Sequence, residues 1–121
     1  MNLKSLLARP FAQVTHNRIR KSAEQAVADQ QNIFKQLIRV GSKTLFGKDH
    51  DFQSIKSYSD FQAKVPIRDY EQLKSYIELI KQGQHNVLWK GKPIYFAKTS
   101  GTTSGVKYIP ITKDSIPNHI H

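Results

Sequence analysis

Between two short apolar runs the chain carries Thr99-Ser100-Gly101-Thr102-Thr103-Ser104-Gly105-Val106-Lys107, and this stretch limits the fold more than any other. Glycines interleaved with hydroxyl side chains prolong neither a strand nor a helix, so the backbone has to turn here. Ahead of it, Ile94 to Ala97 is a nearly continuous apolar run, the pattern of a strand buried on both faces. After it, Lys107-Tyr108-Ile109-Pro110-Ile111-Thr112 reads as a second strand, and Pro110 marks that strand as an edge or a bulge. The expected unit is strand, glycine-rich loop, strand.

The loop's composition suits a polyanion. Glycines let backbone N–H groups turn toward a phosphate, hydroxyls add neutral donors, and Lys107 adds charge. Each donor to a charged oxygen is worth roughly 1.5–3 kcal/mol net, so several converging on one triphosphate suffice to hold a nucleotide. Two better-known loops do not fit. A Walker A loop needs G-x-x-x-x-G-K-[ST] opening a helix, whereas Gly101 and Gly105 are too close together, Val106 precedes Lys107, and a strand follows. Gly101-Thr102-Thr103-Ser104-Gly105 has one residue too many for the G-x-S-x-G nucleophile elbow. The plain alternative is a polar hairpin loop that binds nothing.

Upstream the pattern is helical. Ala26, Val27, Ile33, Phe34, Leu37 and Ile38 form one stripe, predicting a helix from about Ser22 to Arg39. Ser22 with Gln25 resembles a capping box, and Gly41 is a stop. A loop is expected through Gly47-Lys48-Asp49-His50-Asp51, then a short helix from Ser59 to Lys64 that ends ahead of Val65-Pro66. A third helix starts at Asp69, with Gln72 completing the cap, buries Leu73, Tyr76, Ile77 and Ile80, and ends at Gly83. Tyr70 and Phe61 read as core, and Trp89 as a packing residue beside the hairpin. Asp49-His50-Asp51 are three adjacent loop residues with nothing downstream to complete a metal site. The fold class is α/β: a helical segment followed by a glycine-loop hairpin.

At 121 residues the chain is one domain at most. A pair of strands alone is marginal in water, and Thr112-Lys113-Asp114-Ser115 resembles the start of another helix. The expectation is a fragment whose remaining sheet lies beyond His121. The net charge of +10 raises a nucleic-acid or anionic-surface module as an alternative. The positive residues are spread along the chain, however, and no aromatic-interleaved recognition motif accompanies them. A helical docking module, using the faces of Ser22–Arg39 and Asp69–Gln82, is the other alternative. Residues before Glu24 contain no acid, while Leu3, Leu6, Leu7, Phe11 and Val14 fall near helical spacing. This reads as an amphipathic helix interrupted by Pro10 rather than a transit peptide. No run is long enough to span a membrane, and cysteine is absent, as suits a reducing, cytoplasmic setting.

Ser100-Gly101-Thr102-Thr103 followed by Lys107 resembles the phosphate loop of the adenylate-forming enzymes, the acyl-CoA synthetase and luciferase group. Ser104 and Val106 stand where that group usually has glycine and proline. The continuation Lys107-Tyr108-Ile109-Pro110-Ile111-Thr112 is more similar to one branch, the auxin-responsive-promoter family of acyl acid amido synthetases. So are Asn17-Arg18-Ile19-Arg20-Lys21, Thr44-Leu45-Phe46-Gly47-Lys48, Tyr58-Ser59-Asp60-Phe61 with Val65-Pro66-Ile67, and Asn86-Val87-Leu88-Trp89. Tyr70-Glu71-Gln72-Leu73 with Tyr76-Ile77-Glu78 completes the series, which covers the chain from about Asn17 onward.

The resemblance implies that residues 1–121 are the N-terminal part of a single ATP-binding, luciferase-like domain, the rest of which, with a C-terminal domain, lies further on. It implies an ATP- and Mg²⁺-dependent ligase that activates a carboxylic acid as an acyl-adenylate and passes the acyl group to an amine such as an amino acid. Ser100, Gly101, Thr102, Thr103, Ser104, Gly105 and Lys107 would bind the phosphates, and Lys107 would also act in catalysis. The piece alone would be inactive, because the segments that read adenine, acid and amine lie outside it.

Overall fold

The computed structural model describes residues 3–100 and 105–118, with side chains from Ala8 on. Helix α1 (Leu3–Gly41) is followed by α2 (Leu45–Asp49), a 3-10 turn (Phe52–Ser54), α3 (Tyr58–Lys64) and α4 (Tyr70–Lys81). The hairpin β1 (Tyr95–Thr99) and β2 (Lys107–Ile111) comes next, and a second 3-10 turn spans Ile116–Asn118. The chain divides into two compact units, residues 1–35 and residues 36–121.

The first unit is helix alone. It neither begins at Ser22 nor breaks at Pro10, which lies inside α1. No glycine or proline occurs between Phe11 and Val40, so nothing ends the helix once started, and a capping serine within a helix-forming run has no terminus to cap. The predicted stripe is buried only toward its end: Val27 and Ile33 are 70% and 56% exposed, whereas Phe34 is half-buried and Ile38 buried.

In the second unit, α1 stops where expected, at Gly41. The Gly47–Asp51 segment is not a loop, because α2 takes in Gly47, Lys48 and Asp49. Its first amides are all satisfied. Leu45 and Phe46 N–H donate to the Asn86 and Val87 carbonyls at 2.8 and 3.0 Å, and Gly47 N–H donates to the buried Thr44 hydroxyl at 3.0 Å. That hydroxyl donates in turn to the Gly41 carbonyl at 2.7 Å. Glycine is required at 47 by contact, since a Cβ there would stand 2.0 Å from the Gly41 carbonyl oxygen.

Helices α3 and α4 both start in capping boxes, Ser57 with Asp60 and Asp69 with Gln72. The cap of α3 is thus Ser57, and the helix begins at Tyr58 rather than Ser59. Helix α4 ends in a Schellman turn: Gly83, at φ 93, donates to Ile80 O and Gln84 to Leu79 O. The expected inward face holds, with Tyr76, Ile77 and Ile80 buried and Leu73 packed against them beside Val87. Phe46 meets the Tyr76 ring edge-on at 5.4 Å and the Phe52 ring at 5.9 Å, joining α2 to the core.

The hairpin is antiparallel, in a register running from Tyr95↔Ile111 to Thr99↔Lys107. Its first strand is not buried on both faces, because Ile94 and Tyr95 are 58% and 54% exposed. Backbone N–H of Tyr108 points away from β1 and donates to the Tyr70 hydroxyl at 2.9 Å. By the two-residue alternation of a strand, the Pro110 nitrogen faces the same way, where its missing proton costs no ladder bond. In place of a helix at Thr112–Ser115 there is a turn: the Ser115 hydroxyl accepts from Thr112 N–H at 3.1 Å and donates to Thr112 O at 2.9 Å.

Candidate functional site

The hairpin loop comprises residues 100–106, between the paired Thr99 and Lys107. Gly101, Thr102, Thr103 and Ser104 lie outside the described residues. Ser100 is exposed just beyond β1, and Gly105 is exposed at φ 78, a left-handed conformation that favours glycine. Among the described residues other than its chain neighbours, no atom lies within 4 Å of where a Gly105 Cβ would stand. Lys107 is half-buried at the first position of β2, with Nζ 5.8 Å from the centre of the Tyr70 ring.

The support for this end of the hairpin is α4. Lys81 Nζ stands 4.9 Å from the centre of the Tyr108 ring and binds Glu78 at 2.8 Å. The Glu78 carboxylate holds the Lys81 ammonium above its usual pKa. Phe96 meets the Tyr108 ring edge-on at 6.5 Å. At the other end of the hairpin, Trp89 Nε1 donates to Asp114 Oδ2 at 3.2 Å, and Lys90 pairs with the same oxygen at 2.9 Å. The Lys90 ammonium, then the Trp89 N–H, hold the Asp114 carboxyl below its usual range. Trp89, Pro93 and Pro110 line an apolar cleft of about 220 Å³ under the hairpin. The tryptophan thus stands beside the hairpin as expected, but half-buried rather than buried.

The Asp49-His50-Asp51 side chains go to separate partners. Asp49 accepts from the Tyr76 hydroxyl at 2.7 Å. His50 is buried, stacked on Phe46 at 4.1 Å, with Nδ1 on the Phe46 carbonyl and Nε2 facing Arg68. Asp51 takes Ser54 and Lys64, and the Lys64 contact holds its carboxyl below the usual range. Among the described residues no cluster of His, Asp and Glu could hold a metal ion.

Sequence reasoning missed Tyr70 as a site residue. Its link to the strand spans a separation of 38 positions, and no periodicity or cap signals it.

The arrangement is a glycine-loop β-hairpin carried on a helical layer, with a lysine where the loop re-enters the sheet. Over residues 15–121 the chain matches the GH3 family N-terminal domain, and it belongs to that family. It is 28% identical over 120 residues to indole-3-acetic acid-amido synthetase GH3.4 of Arabidopsis thaliana, covering 94% of this chain and 20% of that protein. It is 38% identical over 63 residues to indole-3-acetic acid-amido synthetase GH3.15 of the same plant, covering 50% and 11%. With the probable indole-3-acetic acid-amido synthetase GH3.13 of Oryza sativa subsp. japonica it shares 40% over 58 residues, 46% of this chain and 12% of the rice protein. The chain thus spans a fifth or less of the length of these relatives. No solved structure matches it significantly. No helix among the described residues is long and apolar enough to cross a membrane.

Proposed function

We propose that the chain is the N-terminal, triphosphate-gripping part of an ATP-dependent acid–amino acid ligase with a luciferase-like domain. The substrate carboxylate attacks the α-phosphorus of ATP, forming an acyl-adenylate and releasing pyrophosphate. The amine then attacks the acyl carbon, AMP leaves with the C–O bond electrons, and the amine's proton passes to solvent. The names of the plant relatives support this reaction class. For this chain the substrates are a carboxylic acid and an amine.

The supporting observation is the pairing of Thr99 with Lys107 at the mouth of the loop. Lys107 enters β2 opposite the residue that precedes Ser100, which supports a reading in which the lysine and the loop donors would serve one ligand. Ser100, Thr102, Thr103 and Ser104 would donate to β- and γ-phosphate oxygens, and Gly101 and Gly105 would let the backbone come close. Lys107 would offset the charge that grows on the departing pyrophosphate, at the point where such donors matter most. Mg²⁺ would arrive with the phosphates and neutralise part of their charge. No general base is needed, since a carboxylate is nucleophilic at neutral pH.

Calorimetry with magnesium ATP on the intact ligase tests the reading, together with acid-dependent pyrophosphate release. Lys107→Ala and Thr103→Ala are expected to cut release by about 10²-fold or more, the usual scale for removing one transition-state donor, with little change in melting temperature. ATP uptake undetectable in the wild type, or release unchanged in both variants, removes the loop from the mechanism.

A further inference from the structure

We infer that Tyr70 is a positioning residue for the phosphate loop, its hydroxyl fixing the backbone of Tyr108 while its ring face holds the Lys107 ammonium. The inference rests on the reading of the loop as a triphosphate site and deepens it. One side chain acts on consecutive residues. It accepts the Tyr108 N–H at 2.9 Å and faces Lys107 Nζ at 5.8 Å from its ring centre, inside cation–π range.

The platform beneath Tyr70 is rigid. Tyr70 is the first residue of α4, and the turn it opens is closed on both sides by Asp69 N–H on Gln72 Oε1 at 3.0 Å and Gln72 N–H on Asp69 Oδ1 at 2.9 Å. The place where β2 begins is held by a bond from outside the hairpin, because Tyr108 N–H points away from β1. Tyr70 sets it.

The ring also suits the task asked of the lysine. An ion pair would hold the ammonium too well. Lys81, nearby, is tied to Glu78 at 2.8 Å, whereas among the described residues no carboxylate pairs with Lys107. A ring face attracts an ammonium more weakly than a phosphate oxygen does. Tyr70 therefore keeps Lys107 near the loop when ATP is absent and yields it when the phosphates arrive. Part of the rotamer freedom of a long side chain is given up before binding rather than during it.

Steady-state pyrophosphate release by the intact ligase tests this, with KM measured separately for ATP and for the acid. Tyr70→Phe keeps the ring and loses the hydroxyl, and is expected to raise KM for ATP roughly fivefold, the scale of one hydrogen bond. KM for the acid should stay put, because the acid does not meet the loop. Tyr70→Leu loses both contacts and should raise KM for ATP further. In a Lys107→Ala background, Tyr70→Leu should cost no more than Tyr70→Phe costs the wild type, since no cation remains to position. Equal rises in KM for ATP and acid mean a purely structural tyrosine and overturn the inference. If Lys107→Ala impairs ATP use while Tyr70→Phe does not, the positioning role falls and the loop reading stands. If Lys107→Ala itself behaves as wild type, the loop reading falls and takes this inference with it.

Discussion

Replacing Gly47 with alanine sets helix propensity against contact. Alanine is favoured over glycine inside a helix by about 1 kcal/mol, so propensity alone predicts that Gly47→Ala stabilises α2. Contact predicts the reverse. The new methyl would stand 2.0 Å from the Gly41 carbonyl oxygen, 2.7 Å from its carbonyl carbon and 3.0 Å from Ser42 Cα, all backbone atoms without a rotamer to escape into. Forcing a methyl into packed surroundings costs typically 1–3 kcal/mol, and a backbone obstacle puts this site at the upper end. Moving α2 away also strains the bonds from Leu45 and Phe46 N–H to the Asn86 and Val87 carbonyls.

We therefore expect a net loss of about 2 kcal/mol or more after the propensity gain is subtracted. Equilibrium urea unfolding followed by circular dichroism measures the loss, with the slope m unchanged. Gly83→Ala is the companion, for there no atom of the described residues beyond its chain neighbours lies within 4 Å and the φ of 93 is what opposes the methyl. It should cost about 1 kcal/mol, the price of the left-handed backbone alone. A Gly47→Ala variant as stable as the wild type, or less damaged than Gly83→Ala, refutes the account of the α1–α2 junction.

Thr44→Val should cost about 1–3 kcal/mol in the same assay, because Gly47 N–H loses its buried acceptor; Thr44→Ser should recover most of it, and an unperturbed valine variant would contradict the cap. Trp89 is the single tryptophan, so its emission reports on Asp114. The carboxyl is held below its usual range by the Lys90 ammonium and the Trp89 N–H, so the stability from this contact is complete above ordinary carboxylate pKa values and is lost as pH falls through the lowered one. A fluorescence titration should show its step below the ordinary aspartate range, absent in Asp114→Asn; a step within or above that range is inconsistent with the Lys90 contact. The 121 residues alone should form neither adenylate nor amide, which a pyrophosphate-release assay checks directly.

Local rules made part of this legible from the residues. The cap of α4 and its glycine stop depend on neighbours in sequence, and both are found where the residues put them. The glycine loop between strands is likewise a matter of local composition. Contacts at distance were not legible. Gly47 looks like a loop residue until the Gly41 carbonyl is beside it, and the orphan amides of α2 are satisfied by Asn86 and Val87, more than 40 positions downstream. Pro10 and Ser22 misled because each is a boundary signal only when the surrounding residues also favour a break. Tyr70 read as core because a half-buried ring on a helix face gives no hint that its hydroxyl will meet a strand. The apolar flank at Ile94 suggested a strand covered on both sides, and among the described residues Ile94 is left 58% exposed.

The outer rim of β2 has a consequence for assembly. Tyr108 has given its outward amide proton to Tyr70, Pro110 has none to give, and Thr112 has spent its own on Ser115. An incoming chain seeking to template itself along that rim would meet three successive positions with nothing to donate. Association of copies through that side, the first step toward ribbon-like aggregates, is thereby discouraged.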